Sequence, residues 1–199
     1  TVEECARLGI EQLTLFCLSS ENWKRPQQEL DFLMHLLEQY MIEERRTIME
    51  NQIQVHVIGR RDGIPEQTWE QMEATIRMSA DNQKTRLCLA INYGSRAEIV
   101  DAVQELAHQV KTGELAPDEI TEELISQSLY TAQMPEPDLL IRTAGEMRIS
   151  NFLLWQISYA ELWVTEKCWP EFTEEDLHQA IETFVHRKRR FGGLGTESV

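Results

Sequence analysis

LTLFCLSSENWKRP, residues 13–26, changes character halfway along. Leu13 to Leu18 is a short apolar run with the length and composition of a buried strand, and it empties at once into hydroxyls, an amide, an indole and two cations. Beyond Pro26, the residues Leu30, Leu33, Met34, Leu37, Tyr40 and Met41 recur at helical spacing. A strand passing through a polar cluster into a long amphipathic helix begins the alternation that builds a parallel sheet covered by helices.

The alternation continues to the end of the chain. Strands are predicted at residues 12–18, 53–58, 85–91, 138–141 and 161–165, with further helices at 65–80, 95–110, 118–130 and 173–190. Gly113 and Pro117 punctuate two of the helices, and Thr1 to Leu8 already reads as the body of one. The expected fold is α/β, a central mostly parallel sheet with helices on both faces. With no linker, repeat or low-complexity segment, residues 1–199 are taken as a single domain.

Composition narrows the function. A formal charge of −15 argues against a general nucleic-acid binder, which needs a broad basic face, so an anionic substrate has to be held locally. No apolar stretch approaches the roughly 20 residues that span a bilayer. Cys5, Cys17, Cys88 and Cys168 are scattered without a C-x-x-C pair, which suits a reducing cytoplasm better than disulfides or structural zinc.

In doubly wound folds ligands bind beyond the carboxyl ends of the strands. The predicted strands are followed there by Ser19, Ser20, Asn22, Trp23 and Arg25, by Gly59, Arg60 and Arg61, by Asn92, Tyr93, Gly94 and Arg96, and by RTAGEMRIS, residues 142–150. In that last segment Arg142 and Arg148 offer guanidinium forks, Ser150 a hydroxyl, and the glycine turn free backbone N–H groups, together a diphosphate cradle. The alternative is a surface loop whose arginines pair with Glu146 and other acids. For residues 19–25, Ser19 or Ser20 could cap the following helix and Trp23 could anchor the core. Asn22 can orient a substrate or relay a proton without being a strong base. Glu161, after the run NFLLWQISYA, is either a solvated strand-end charge or a hard oxygen ligand for Mg2+. The basic run His186 to Arg190 suits a helix C-terminus, and Phe191-Gly192-Gly193 a helix stop. P-loop, H-E-x-x-H, G-x-S-x-G, G-x-G-x-x-G and D-D-x-x-D motifs are all absent, and the five histidines are scattered.

Four segments together resemble the signatures of the cis-prenyltransferases. They are FCLSSENWKRP (16–26) with Glu29, INYGSRAEIV (91–100), IRTAGEMRISNFLLWQISYAELWVTEKCWPEF (141–172) and RRFGG (189–193), so the likeness runs essentially from end to end. The resemblance is strongest to the bacterial undecaprenyl diphosphate synthase type. It implies repeated condensation of isopentenyl diphosphate onto an allylic diphosphate such as farnesyl diphosphate, each new double bond cis. It also implies that Arg142, Arg148 and Ser150 hold isopentenyl diphosphate, and that Trp23, Arg25 and Glu29 line the site. Asn22 and Ser19 then lie near the departing proton, and Glu161 helps hold Mg2+, the implied cofactor. A homodimer is implied too, and a tunnel for the product lined by the helix of Leu30, Leu33 and Leu37. Peripheral membrane contact would suit release of a greasy product.

Two departures stand out. The family's opening block resembling MDGNGRWA, with its metal-binding aspartate and first strand, has no counterpart here, so residues are expected to precede Thr1 in the natural protein. Met147 stands where many bacterial relatives carry a histidine near the metal, and a thioether is a poor Mg2+ ligand. A noncatalytic partner subunit of the same fold is the alternative that the missing block raises.

Overall fold

The computed structural model describes residues 1–187, so RRFGG and the end of the basic run lie outside the described residues. By packing the described chain falls into two compact units, one of Val2–Pro135 with Asn151–Leu153, the other of Glu136–Ser150 with residues 154–187.

The larger unit runs α1 (Val2–Leu8), β1 (Gln12–Ser19), a 3-10 turn (Ser20–Lys24), α2 (Gln27–Glu43), α3 (Arg45–Glu50), β2 (Ile53–Ile58), α4 (Glu66–Ser79), β3 (Thr85–Tyr93), α5 (Ser95–Thr112) and α6 (Glu122–Ser128). Its sheet is parallel in the order β1-β3-β2, with Leu13 opposite Leu87 and Val55 also opposite Leu87. In β3 every residue from Leu87 to Tyr93 is buried, because both faces of a central parallel strand are covered. Ile53, Val55, Leu87, Leu89 and Ile91 form the core with Met34, Met41, Ile48 and Met72. The register shifts twice, past Cys17 on β1 so that Leu18 pairs Ile91, and past Asn92 on β3 so that Ser19 pairs Tyr93.

Several buried polar groups tie the elements of this unit together. Ser79 accepts the amide of Val55 at 3.0 Å, so α4 covers backbone on β2 that its sheet partner leaves unused. Thr75 donates to the carbonyl of Met41 at 2.7 Å and joins α4 to α2. Asn82 donates to the carbonyl of Ile53 at 2.7 Å.

The smaller unit holds β4 (Leu139–Arg142), β5 (Glu161–Val164) and α7 (Glu174–Val185), with β4 and β5 parallel. All described pairing is therefore parallel, as expected, and it is divided between a three-stranded and a two-stranded sheet. The predicted helix at 118–130 is shorter. Pro117 opens a 3-10 turn, and Thr121 starts α6 by accepting the amide of Leu124 at 3.2 Å.

Thr173 and Asp176 form a capping box at the start of α7, and Lys167 donates to Asp176 at 2.7 Å. The Lys167 hydrogen bond, then the donors of Thr173, hold the Asp176 carboxyl down to about 2 from an ordinary 3.8. A depressed folded-state value means that this stabilisation is complete above about pH 4 and drains away as pH falls toward 2. Asp176→Asn is therefore expected to flatten the acid limb of a stability-versus-pH curve from denaturant unfolding, and an unchanged limb would refute the assignment.

Candidate functional site

The sequence-predicted residues fall on both units: Ser19, Asn22, Trp23, Arg25 and Glu29 on the larger, Arg142, Arg148, Ser150 and Glu161 on the smaller.

On the larger unit the 3-10 turn after β1 is closed by its own side chains. The backbone N–H of Ser19 donates to Asn22 Oδ1 at 2.8 Å, and the N–H of Arg25 to the Asn22 carbonyl at 2.9 Å. The turn thus uses the acceptor end of the Asn22 amide, and the group remaining to it is a donor suited to an anionic oxygen. Trp23 Nε1 donates to Asn92 Oδ1, and Asn92 Nδ2 donates to the carbonyls of Arg60 and Asp62, both at 2.9 Å. One amide therefore gathers the exits of all three strands, and Asn92 adopts a left-handed φ of 48° to do so. The Trp23 ring also packs against the core and lies beside Gly63, so it is both anchor and wall. Arg25 pairs Glu29 at 2.6 Å across one exposed turn of α2. Leu30 is buried, and Leu33 and Leu37 pack on the core cluster, so the α2 stripe first serves the core.

The start of α5 carries a feature absent from the sequence reading. Glu98 is fully buried, accepting the Tyr93 hydroxyl at 2.5 Å and the backbone N–H of Tyr130 at 3.0 Å. Burial first, and then the charge and hydrogen bond of Glu98, push the Tyr93 phenol well above its usual range. The sequence signal is an acid one turn into the helix after a strand-end tyrosine, within INYGSRAEIV. A second network joins Arg60 to Asp101 through two hydrogen bonds, with the Tyr130 hydroxyl donating to the same carboxylate.

On the smaller unit RTAGEMRIS leaves β4 through consecutive left-handed residues, Ala144 at φ 62° and Gly145 at φ 63°. Two of the turn's amides are already occupied. The N–H of Ala144 donates to the Lys167 carbonyl and that of Gly145 to the Thr165 carbonyl, both at 2.8 Å, because the segment after β5 lies alongside. The amides of Ala144 and Gly145 are thus not open to a phosphate, and the side chains are the donors the structure shows converging. Arg142 Nε is buried without a partner, and Arg142 Nη2 lies 3.5 Å from Ser150 Oγ, so guanidinium and hydroxyl converge. Ser150 is itself left-handed, at φ 55°. Arg148 is exposed and pairs Glu146, which is the surface-loop alternative for that one side chain. Met147 is 84% exposed.

Glu161 opens β5 and accepts from Arg187 at 2.7 Å. Among the described residues no group of three or more His, Cys, Asp or Glu side chains could enclose a metal ion. A single carboxylate fits Mg2+ only in the manner common for that ion, with substrate phosphates and water completing the shell.

Parallel strands that exit into amides and hydroxyls on the larger unit, and into a guanidinium and a hydroxyl on the smaller, suit transfer chemistry on a diphosphate, and comparison with known proteins agrees. Residues 1–192 match the prenyltransferase family model described as "Putative undecaprenyl diphosphate synthase". An isoprenyl transferase of Rhodopirellula baltica is 54% identical over 195 residues, covering 98% of this chain and 80% of the relative. One from Bacillus anthracis is 46% identical over 95% of this chain and 73% of its own length. Among solved structures, lavandulyl diphosphate synthase from Lavandula x intermedia, in complex with dimethylallyl diphosphate, superposes with a TM-score of 0.93 at 37% identity, covering 96% of this chain and 83% of the other. A probable undecaprenyl diphosphate synthase of Campylobacter jejuni does so at 0.85 and 34% identity, covering 96% and 89%. These relations define the class as a prenyl-transferring enzyme. The chain belongs to the undecaprenyl diphosphate synthase family of cis-prenyltransferases.

Proposed function

We propose that the protein condenses isopentenyl diphosphate repeatedly onto a farnesyl-like allylic diphosphate, making a cis-polyprenyl diphosphate that serves as the lipid carrier of cell-wall synthesis. The observation that carries this reading is the convergence of the unpartnered, buried Arg142 Nε with the neighbouring hydroxyl of Ser150. That arrangement leaves a guanidinium edge available to an anion it is shaped to bind.

In this reading Arg142, Arg148 and Ser150 hold the diphosphate of isopentenyl diphosphate, and Arg148 exchanges Glu146 for substrate oxygens. On the larger unit, the family resemblance gives Trp23, Arg25 and Glu29 to substrate binding, and Asn22 and Ser19 to the proton that is lost. Each cycle forms a carbon–carbon bond at the allylic carbon as its diphosphate departs, and a proton leaves the isopentenyl unit. Mg2+, held in part by Glu161, would supply charge for the departing diphosphate. Apolar walls keep water from the electron-poor allylic carbon.

A homodimer at the cytoplasmic membrane surface completes the reading. The exposed Tyr159, Leu162 and Val185 support an apolar contact, and no described helix is long and apolar enough to cross a membrane.

The test is incorporation of labelled isopentenyl diphosphate with farnesyl diphosphate into solvent-extractable product, alongside calorimetric titration of isopentenyl diphosphate. Extractable label that disappears with a chelator and returns with Mg2+ is expected. No label and no calorimetric binding would sink the proposal.

A further inference from the structure

We propose that Asn151 is the positioning residue of the Ser19–Lys24 turn, acting through Glu21. This rests on the reading above for its effect on turnover, though not for its structural content. Asn151 adopts a left-handed φ of 61° and uses both ends of its amide. Its backbone carbonyl accepts the N–H of Ser95 at 2.8 Å, and its Oδ1 accepts the N–H of Arg96 at 2.9 Å, so it satisfies the first amides of α5. Its Nδ2 donates to Glu21 Oε1 at 2.8 Å. Glu21 Oε2 in turn accepts from the hydroxyl of Ser20 at 3.3 Å. The chain of contacts therefore runs from the start of α5, through Asn151 and Glu21, to the hydroxyl of Ser20 at the head of the turn.

A second observation shows how tightly these segments meet. A Cβ on Gly94 would stand 2.5 Å from Ser20 Oγ and 2.7 Å from Asn151 Nδ2. The backbone of Gly94 is extended, so glycine is needed there for close approach and not for its dihedral angles. Neither Glu21 nor Asn151 touches the reacting atoms in the reading above. Their office is to fix the turn that carries Asn22 and Trp23.

Asn151→Asp keeps an acceptor for Arg96 and sets a second carboxylate against Glu21. Glu21→Gln in that background restores one donor and one acceptor across the same gap, with the net charge of the original pair. With kcat/KM as readout, Asn151→Asp is expected to lose about tenfold, the loss falling on kcat, and the double variant to recover to within about threefold of the parent. Gly94→Ala should copy the loss without altering Asn151.

Amide hydrogen exchange read on the same variants separates the two levels of the claim. Residues 20–24, Ser95 and Arg96 should exchange faster in Asn151→Asp and Asn151→Gly, and recover in the double variant, whether or not the parent turns over. An inactive parent with these exchange changes would overturn the functional reading alone. Unchanged exchange in folded Asn151→Asp, or a double variant no better than the single, would overturn the role of Asn151.

Discussion

Arg142→Lys is expected to lower kcat/KM for isopentenyl diphosphate by about a hundredfold, and Arg142→Ala by about a thousandfold. The reason lies in the shape of the group and not in its charge. Arg142 ends β4 with a buried, unpartnered Nε and an Nη2 that meets Ser150. A lysine there keeps the charge, supplies a single flexible ammonium, and cannot present two parallel donors to a phosphate. Losing such a charge-assisted pair in a partly dry site costs roughly 3 kcal/mol, which is the hundredfold. Initial rates with labelled isopentenyl diphosphate, with thermal melting as the folding control, decide the matter. An Arg142→Lys enzyme within about threefold of the parent would remove Arg142 from the diphosphate site.

Gly59→Ala is expected to be the most damaging single change to the fold, costing about 4–5 kcal/mol or more. Gly59 leaves β2 at φ 117°, and a Cβ there would lie 2.0 Å from the Ile91 carbonyl oxygen and 3.0 Å from its carbon. Backbone of β3, the central strand, cannot move aside without breaking its ladders. The melting temperature should fall by about 10 °C or more. Gly9→Ala is the matched control. Its φ of 71° is also left-handed, but nothing lies within 4 Å of the added carbon, so only about 1–2 kcal/mol is expected. Equal losses at the two positions would show that dihedral strain, and not the Ile91 contact, sets the cost.

The strands were legible in the sequence because their apolar runs are short and bounded. Gln12–Ser19, Ile53–Ile58 and Leu139–Arg142 each lie within a residue of the expected limits. Helix α3 was not legible, since Arg45 to Glu50 continues the helical character of α2 and only the cap at Glu44 separates them. The bulge at Cys17 and the division into two sheets depend on register and pairing, which periodicity does not carry. The proximity of Arg142 and Ser150 was legible because they stand eight residues apart in sequence. The occupied amides of Ala144 and Gly145 were not, because their acceptors belong to the segment after β5. The pair Glu21 and Asn151, 130 residues apart in sequence, left no local trace at all.

The strand order β1-β3-β2 also has a history in the making of the chain. Neither β1 nor β2 has a hydrogen-bonded strand partner within the three-stranded sheet other than β3, and Gln12 waits for Arg86. At about 5–20 residues per second, a ribosome takes about 4 to 15 seconds to deliver that partner. Within this three-stranded sheet β1 is without β3 for the whole of that interval, and β2, which pairs Ile53 with Thr85, for about 2 to 6 seconds of it. Lesions in β3 should thus appear first as poor yield of soluble chain in the cell, before any defect in the purified enzyme is measured.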